Sequence, residues 1–263
     1  MDLQLQGKTA FVSGSTQGIG FAIASALAAE GVRVIVNGRS PERVDQAVAR
    51  LRTEHPGADH TGLVADFAAP DDVARLLDGL GEVDILVNNV GLFGLAEFAA
   101  ITDEEWARYL DVNVMSGVRL SRHVLTGMRE RGWGRLIFIS SESGVNVPAD
   151  MVHYGVTKAA MVALGNGLAK LTRGTAVTVN TVLGGPTYSD GVAATVEAIA
   201  DAQSAPVDAI KNAIIGQDGT TLLQRFIDPT EIAHLVAYLA SPLASATNGA
   251  ALRADGGVLT AML

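Results

Sequence analysis

Residues 9–20, TAFVSGSTQGIG, decide the fold of this chain. The short apolar segment 9–13 predicts a strand, and the apolar spacing of residues 18–30 predicts a helix. The turn between them carries Gly14, Gly18 and Gly20, which allow unusual backbone angles and leave room for a phosphate group at the helix N-terminus. An ordinary tight turn is the alternative, but the position between a strand and a helix favours phosphate binding.

The same alternation continues along the chain. Near-continuously apolar runs of this kind are typical of strands that helices cover on both faces. We therefore predict an α/β fold: a doubly wound, mostly parallel sheet of about seven strands, a Rossmann fold, in one domain spanning residues 1–263. Further strands are predicted at residues 32–37, 60–65, 83–88, 135–140, 176–182 and 250–253, and further helices at 41–55, 70–80, 103–131, 151–173 and from 228 onward.

The alternation lapses before the last helix. Residues 192, 196 and 199, then 207, 210 and 214, are apolar at helical spacing on either side of Pro206 and predict two short amphipathic helices. We expect them to form a lid, residues 188–226, whose apolar faces enclose a substrate. The charged residues of its segment 188–221 give a net charge of −4, which disfavours anionic substrates; they are Asp190, Glu197, Asp201, Asp208 and Asp218 against Lys211.

Composition narrows the range of partners. The chain has 263 residues, 48% of them apolar, and a net charge of −9, so it offers no basic field for nucleic acid or anionic lipid. The lack of cysteine excludes disulfides and thiolate catalysis, and the five histidines lack metal-ligand spacing, so we expect no catalytic metal. With no apolar run of membrane length and no signal-peptide pattern in residues 1–8, we expect a cytoplasmic protein that binds neither nucleic acid nor membrane.

Polar residues follow the third and fourth predicted strands. Asp66 ends one strand, and the run Asn88, Asn89, Val90 and Gly91 ends the other, so they meet at the carboxyl edge of a parallel sheet. A carboxylate and two amides there could hold and line an adenine group. That they are ordinary turn residues is the alternative, since strand ends usually carry Asp, Asn and Gly.

The second predicted strand ends in VNGRS, residues 36–40, without the acidic residue that would bind a ribose 2′-hydroxyl. Arg39 could instead pair with a 2′-phosphate through charge-assisted hydrogen bonds. We therefore predict that NADP(H) is preferred over NAD(H). The alternative is that Arg39 is a solvated loop charge, because Gln17 stands where a second basic residue would strengthen the argument.

Tyr154 and Lys158 stand four residues apart on a predicted helix and so share one face. An ammonium beside a phenol lowers the pKa of the tyrosine, which suits a proton donor to a ketone. Ser141, at the end of the preceding strand, can polarise a carbonyl oxygen. Asn113 lies inside a predicted helix, an unfavourable place for asparagine that indicates a local role. A packed tyrosine beside a solvated lysine is the alternative.

Together these motifs resemble, over the whole chain, the short-chain dehydrogenase/reductase family and in particular its 3-oxoacyl-reductase-like members. The resemblance implies hydride transfer between the nicotinamide of NAD(P)(H) and a carbonyl or secondary alcohol. It rests on Gly14, Gly18, Gly20, Asp66, the Asn88 to Gly91 run, Asn113, Ser141, Tyr154, Lys158, the run Gly184, Gly185, Pro186 and Thr187, and the run Asp255, Gly256 and Gly257.

The resemblance also implies roles for single residues. Tyr154 would be the acid/base and Ser141 would hold the substrate oxygen. Lys158 would bind the nicotinamide ribose and tune Tyr154, and Asn113 would position a water in a proton relay through Lys158. An arginine at position 39 commonly goes with NADP. The implied cofactor contacts are Gly14, Ser15, Thr16, Gln17, Gly18, Ile19, Gly20, Arg39, Asp66, Asn88, Asn89, Val90, Gly91, Tyr154, Lys158, Gly185 and Thr187.

The chain departs from the family pattern at two positions. Val90 stands where the family usually has alanine, and we expect little change from the added bulk. Gly184 stands where the family usually has proline, beside the nicotinamide, and we expect it to loosen the backbone there. Of the residues next to the catalytic ones, Glu142 and His153 are possible substrate contacts, although neighbours of this kind usually point elsewhere.

Several functions remain open at this point. We rank a neutral, mostly apolar ketone or secondary alcohol first as the small-molecule substrate. A 3-oxoacyl thioester on an acyl carrier protein or coenzyme A is the alternative, because Arg129, Arg131 and Arg173 could dock an acidic carrier. A non-catalytic NADP(H)-binding redox sensor is a further alternative, against which the complete set Ser141, Tyr154 and Lys158 argues.

One predicted helix also bears on assembly. Residues 159–165 are small and apolar almost all round, as in a helix that is buried on both sides. One side would cover the sheet and the other would meet a second subunit. The family resemblance implies a homotetramer.

Overall fold

A computed structural model describes residues 1–216 and 221–262 of the chain. Within these residues seven strands form one sheet in the order β3-β2-β1-β4-β5-β6-β7, and every neighbouring pair is parallel. The strand order reverses between β1 and β4, the place where open α/β sheets bind their ligands. The strands are β1 Thr9–Val12, β2 Arg33–Gly38, β3 Thr61–Val64, β4 Ile85–Asn88, β5 Trp133–Ser141, β6 Ala176–Gly184 and β7 Ala251–Ala254.

Helices cover both faces of this sheet, which confirms the predicted doubly wound α/β class. The core residues on one face belong to α1, α2 and α9, and those on the other face belong to α3, α5 and α6. The α-helices are α1 Gly18–Ala29, α2 Pro41–Glu54, α3 Pro70–Leu80, α4 Asp103–Tyr109, α5 Ser116–Glu130, α6 Val152–Lys170, α7 Asp190–Gln203, α8 Val207–Gly216 and α9 Pro229–Ala240.

The start of α9 shows why the sequence predicts its elements well. Asp228 accepts a hydrogen bond from Thr230 N at 2.8 Å, and Glu231 accepts one from Asp228 N at 2.9 Å. This reciprocal cap satisfies amides that the first helical turn leaves free. Pro229 adds a fixed φ at the first helical position.

The predicted helix over residues 103–131 is not one regular α-helix. It consists of α4, a π-helical turn at Leu110–Met115, and α5. Asn113 lies in the π-helical turn and is fully buried. The wider turn accommodates an asparagine whose side chain bonds to neighbouring segments rather than to its own helix.

The two predicted lid helices exist as α7 and α8. Val196, Ala200 and Ile210 pack together as a small separate core, with Val192 and Val207 against it, so part of each apolar face is buried on the other helix. Ile214, the last residue of the predicted apolar series, is 42% exposed. That the two helices enclose a substrate stays a prediction. Residues 217–220, which include Asp218, lie outside the described residues.

In the part of the chain that the structure describes, no helix combines the length and the apolar character that crossing a membrane requires.

Candidate active site

The glycine loop, residues 13–20, follows β1 and requires glycine at three positions. Gly14 and Gly18 have φ angles of 61° and 58°, in the left-handed region. A Cβ on Gly20 would stand 2.2 Å from the Gly14 carbonyl oxygen. The loop thus closes tightly on itself and leads its backbone into the N-terminus of α1, a geometry suited to an anion.

Four polar side chains hold the glycine loop. Ser15 Oγ donates to a β1 carbonyl at 2.6 Å and accepts from Asn37 N at 3.0 Å. Asn37 Oδ1 accepts from Gly14 N at 3.0 Å. Asn89 Nδ2 donates to the carbonyls of Ser13 and Gly14, each at 2.9 Å, and Ser13 Oγ accepts from Asn89 N at 2.9 Å. The side chains of Ser15 and Asn89 therefore brace the loop rather than face outward from it.

The side chain of Asn88 does not reach the carboxyl edge of the sheet. The residue is 2% exposed, and its Nδ2 lies 3.4 Å from Ser121 Oγ on α5. The expectation that this amide lines an adenine pocket is wrong, since the side chain is enclosed on the α5 face of the sheet. Val90 packs partly on that core, as expected for a bulkier residue that is tolerated. Gly91 lies beside Lys158, whose Nζ is 3.6 Å from the position of a Cβ at residue 91.

Arg39 and Asp66 follow neighbouring strands and face each other. The distance from Arg39 Nη1 to Asp66 Oδ2 is 4.0 Å, and the arginine side chain is 76% exposed. An ion pair this long and this exposed is weak, so Arg39 keeps its capacity to bind another anion. Thr16 contacts Gly38 at the end of β2, which places the glycine loop at the same corner, with Gln17 exposed beside it.

Gly184 is held firmly. It is the last residue of β6 and pairs with Ser141 of β5 on one side and with Ala254 of β7 on the other. The expected loosening of the backbone is wrong, because two strands fix this residue. The next residue, Gly185, must lack a side chain, since a Cβ there would stand 2.4 Å from Asp255 O. Thr187 is 7% exposed and donates to Gly185 O at 2.8 Å.

Tyr154 lies in the first turn of α6, next to Ser141 at the carboxyl end of β5. Burial raises the pKa of Tyr154 to about 12, and hydrogen bonding to the Ser141 hydroxyl opposes this. The expectation that the Lys158 ammonium lowers the pKa of Tyr154 is not met in this structure. Loss of water contact has the largest effect on the pKa of Tyr154, and the phenol stays protonated at neutral pH, as a proton donor must be.

Lys158 is 5% exposed and lies under the ring of Tyr154. Its Nζ is 5.5 Å from the centre of that ring and donates to Ile139 O at 2.9 Å. Burial lowers the pKa of Lys158 to about 8, so the ammonium form still predominates at pH 7. The charge lies within the site and is not a solvated surface charge.

Asn113 joins three segments of the site. Its Oδ1 accepts from Leu92 N at 2.6 Å, and its Nδ2 donates to Leu92 O at 3.0 Å and to Thr157 Oγ1 at 2.9 Å. Thr157 in turn donates to Tyr154 O at 2.7 Å. The amide thus ties the loop after β4 to the helix that carries Tyr154 and Lys158.

The lid touches the glycine loop at one carboxylate. Asp190, the first residue of α7, accepts a hydrogen bond from Gly18 N at 2.6 Å. This contact places a negative charge at the N-terminus of α1, where the sequence predicts a phosphate site. The charge count of the lid predicts a negative field but not this contact.

Glu142 and His153, the neighbours of two predicted catalytic residues, have different surroundings. His153 is 2% exposed, and its ring packs on Tyr109, with 4.0 Å between ring centres, and edge-on against Trp106. It belongs to an aromatic cluster. Glu142 is half-buried and close enough to Tyr154 for its charge to raise the pKa of that phenol.

The structure therefore brings together Tyr154, Lys158, Ser141 and Asn113 beside the glycine loop, as predicted. Sequence reasoning missed the bracing role of Asn37 and the link through Thr157. Thr157 lies three residues after Tyr154 and one before Lys158, a helical position from which a hydroxyl can bond back to a carbonyl, and this spacing was the available signal. Nothing in the sequence marked the contact of Asp190 with Gly18.

Comparison with known proteins gives a consistent result. The chain matches the short chain dehydrogenase family over residues 8–200. It is 46% identical over 260 residues to an uncharacterized oxidoreductase of Bacillus subtilis, YvaG, with 98% of both chains covered. It is 33% identical to the 3-oxoacyl-[acyl-carrier-protein] reductase FabG of Vibrio cholerae, with 97% of this chain and 99% of that one covered.

Among solved structures, L-sorbose reductase from Gluconobacter frateurii in complex with NADPH and L-sorbose is similar with a TM-score of 0.94. That likeness covers 100% of both chains at 30% sequence identity. Sequence and fold therefore agree, and the chain belongs to the short-chain dehydrogenase family and is an oxidoreductase.

Proposed function

We propose that the enzyme transfers a hydride between NADP(H) and a carbonyl or secondary alcohol, with Tyr154 as acid/base. The observation that carries the proposal is Tyr154, protonated at neutral pH and next to both Ser141 and Lys158, at the same sheet edge as the glycine loop. The NADPH complex of the structurally similar L-sorbose reductase supports it.

The glycine loop fits a dinucleotide. A Cβ at Gly20 would collide with the Gly14 carbonyl, so the backbone at this turn is free of side chains. The loop would hold the pyrophosphate through amides at the α1 N-terminus, and Gly185 and Thr187 would border the nicotinamide. When bound, the nicotinamide supplies or takes the hydride.

The proton transfer then belongs to the protein. In the direction of reduction, the Tyr154 hydroxyl gives its proton to the carbonyl oxygen as the carbonyl carbon takes the hydride. Ser141 holds that oxygen through its own hydroxyl. Lys158 would bind the ribose hydroxyls of the cofactor, and its positive charge stabilises the phenolate that remains. Asn113 uses its whole side chain on Leu92 and Thr157, so a water in a relay to Lys158 would be held by its backbone.

The preference for NADP(H) over NAD(H) rests on the end of β2. Asn37 is 1% exposed, and its side chain is hydrogen-bonded to Gly14 N and Leu63 O. This position at the end of β2 therefore offers no carboxylate to a ribose hydroxyl. Arg39 is exposed directly after β2, and its guanidinium would pair with a 2′-phosphate there.

For the substrate we propose a neutral, mostly apolar ketone or secondary alcohol. Apolar side chains border the site: Val147 contacts Gly155, next to Tyr154, and is 40% exposed, while Phe93 and Leu95 are 60% and 73% exposed on the loop after β4. The relationship to FabG favours a carrier-bound 3-oxoacyl thioester as the second candidate.

The structure weakens one argument for that second candidate. Arg131 lies before the amino end of β5, whereas Ser141 lies at its carboxyl end, about 25 Å away at the rise of a strand. Arg131 is also paired with Glu82 at 3.3 Å. Arg173 precedes β6, at the same far edge. A carrier docked on these arginines would need an arm long enough to span the sheet.

The test compares purified wild type with Tyr154→Phe and with the matched surface variant Tyr238→Phe. We expect wild type to oxidise NADPH with ketones from a panel that includes aryl ketones, diketones and acyl thioesters. Tyr154→Phe lacks the transferable proton, so kcat should fall by about a thousandfold while NADPH still binds, measured by nucleotide fluorescence. Tyr238→Phe should behave as wild type. Normal turnover in Tyr154→Phe would refute the proposed mechanism.

We further propose a homotetramer. The outer side of α6 exposes Val156, Ala163 and Gly167, and Val156 is 41% exposed. A groove lined by Ala159, Val162, Ala163 and Ala251 follows this side and suits a second copy of the chain. Light scattering should give a mass near four times 27.2 kDa, and the mass of a monomer would contradict this.

A further inference from the structure

A small cavity lies at the base of the lid, apart from the candidate active site. Its volume is about 250 Å³, and it is enclosed between α8 and residues 224–228, the segment that leads into α9. Neither Ser141, Tyr154 nor Lys158 lines it. The hydride transfer proposed above therefore does not use this cavity.

Aromatic and apolar side chains form part of its wall. The rings of Tyr188 and Phe226 have their centres 5.6 Å apart and are tilted by 56°. Ile215 and Ile227, which are 4% and 3% exposed, add buried apolar surface. A cavity of about 150 Å³ in a protein core can hold benzene, so this one has room for an aromatic ring with one substituent.

Lys211 brings a positive charge to the cavity. Its Nζ lies 3.7 Å from the centre of the Tyr188 ring, a cation–π contact that holds the ammonium beside the aromatic wall. Within residues 1–216 and 221–262, the carboxylate at ion-pairing distance is that of Asp208, at 3.9 Å, and its side chain is 89% exposed. So long and exposed a pair is weak, and the ammonium keeps N–H donors for another anion. Asn212 and Gln224 add side-chain amides, which can also donate.

Other charged residues at the cavity are bound to the protein itself. Arg225 donates to both carboxylate oxygens of Glu231, at 2.7 and 2.8 Å. Asp228 Oδ1 accepts from Thr230 N at 2.8 Å and from Thr230 Oγ1 at 2.6 Å, as the cap of α9. These contacts neutralise the Arg225 charge and occupy the Asp228 carboxylate. The charge of Lys211 is compensated less, and it sets the sign of the ligand that the cavity prefers.

We propose that this cavity binds a small aromatic carboxylate, with its ring against Tyr188 and Phe226 and its carboxylate on the Lys211 ammonium. A cationic ligand is repelled by Lys211. A neutral ring makes the aromatic contacts but gains nothing from the charge. The inference goes beyond hydride transfer, and the binding can be measured without it.

Such a ligand connects the lid to the sheet. It contacts α8 on one side and residues 224–228 on the other. That segment is tied to the end of β6 by Ile227 N, which donates to Pro186 O at 2.8 Å, and by Ile227 O, which accepts from Tyr188 N at 2.9 Å. A ligand that contacts both sides favours the position in which they lie together. The cavity is thus an effector site that holds the lid closed.

The experiment measures the binding of benzoate, benzamide and acetate to the full chain by calorimetry. Benzamide keeps the shape of benzoate without its charge, and acetate keeps the charge without the ring. The variants are Lys211→Met, which removes the ammonium, and Phe226→Leu, which removes one ring. Lys170→Met, a change of an exposed lysine in the last turn of α6, is the matched control.

We expect wild type to bind benzoate about fivefold or more tightly than benzamide, and Lys211→Met to lose that preference. Acetate should bind more weakly than benzoate, and Phe226→Leu should reduce this difference. The preference for benzoate should shrink as salt rises. Lys170→Met should bind all three probes as wild type does.

The same benzoate affinity in wild type and Lys211→Met would overturn the site, and so would the absence of benzoate binding to wild type. Hydrogen exchange tests the effect on the lid: with benzoate the backbone amides of Tyr188 and Ile227 should exchange several-fold more slowly in wild type and at an unchanged rate in Lys211→Met. Equal rates in wild type with and without benzoate would overturn the effector role. Neither readout requires turnover, so both stand if the proposed hydride transfer fails. Thermal unfolding of each variant confirms that it is folded.

Discussion

The glycine loop and the lid differ in how the fold holds them. Ser13, Ser15, Asn37 and Asn89 fix the glycine loop through hydrogen bonds from three neighbouring segments. The lid packs mainly on itself and joins the sheet through few contacts, such as Tyr188 N to Ile227 O at 2.9 Å and Asp190 to Gly18. A site built this way has a preorganised surface on one side and a cover that can move as a unit on the other.

The largest effect on stability should follow from removing a side chain that holds the glycine loop through hydrogen bonds. Asn37→Ala leaves Gly14 N and Leu63 O without their side-chain partner in a buried setting. We expect the free energy of unfolding to fall by about 3 kcal/mol, since each unpaired buried group costs about 1–3 kcal/mol. Urea unfolding at fixed protein concentration measures this.

The matched change in the lid is Thr195→Ala, which removes an exposed side-chain bond to Gly191 O at 3.0 Å. It should change the free energy of unfolding by less than about 0.5 kcal/mol. Similar losses in both variants would show that the two regions do not differ in this way.

The second effect concerns Arg39, an exposed residue beside the glycine loop. In Arg39→Asp the guanidinium that we propose to pair with the 2′-phosphate is replaced by a carboxylate that can accept from a 2′-hydroxyl. We expect the ratio of kcat/KM for NADPH to that for NADH to fall by about 30-fold or more. Arg43→Asp, a change of the same charge on α2, is the control. An unchanged ratio in Arg39→Asp would make Arg39 a loop charge only.

How far the sequence predicts the site depends on the distance along the chain over which each contact acts. The strands, the helices and the glycine loop follow from local period and turn chemistry, and the four catalytic candidates from one motif each. The brace between Asn37 and Gly14 joins residues 23 apart and depends on the register of β1 and β2. The contact of Asp190 with Gly18 spans 172 residues. No local pattern predicts such contacts.

The burial of a side chain is another property that the spacing of residues along the sequence does not predict. Tyr154 and Lys158 are four residues apart in either case, but the pKa of Tyr154 rises because water is excluded from it. The lid helices were predicted from their apolar spacing, yet that spacing does not say which surface the apolar face meets. In both cases the sequence predicts the element, and the structure is needed to show what surrounds it.

The third effect lies at the hydrogen bond between Asp190 of the lid and Gly18 of the glycine loop. In Asp190→Asn the hydrogen bond to Gly18 N can remain while the negative charge is lost. A pyrophosphate at the same helix N-terminus would no longer face a carboxylate, so NADPH should bind about three- to fivefold more tightly. Fluorescence titration at low and high salt measures this, and the gain should shrink as salt rises.

Asp208→Asn controls for the overall charge of the lid, because Asp208 lies on α8 beside Lys211 at 3.9 Å. It should leave NADPH affinity unchanged. If Asp190→Asn also leaves it unchanged, the carboxylate and the phosphate occupy separate places and the lid contact is neutral toward the cofactor.

The smallest effect concerns His60, which directly precedes β3. It tests whether the hydrogen bonds that hold the glycine loop extend to the outer strands β2 and β3. His60 is fully buried, its Nδ1 accepts from Val34 N at 3.2 Å, and its Nε2 lies 3.1 Å from His55 O. Burial lowers the pKa of His60 below 6.5, and protonation of Nδ1 would also break the bond to Val34. At a pH between the lowered pKa of His60 in the folded chain and its ordinary pKa in the unfolded chain, this histidine is therefore protonated in the unfolded chain and neutral in the folded one. Stability should fall as the pH drops through 6.5 and should not depend on this group above it.

We expect the free energy of unfolding of wild type to decrease more between about pH 7.5 and pH 5.5 than that of His60→Gln. The control variant His234→Gln, which changes an exposed histidine on α9, should follow wild type. Parallel pH profiles for wild type and His60→Gln would show that the stabilising hydrogen bonds around the glycine loop do not extend beyond Asn37 to His60.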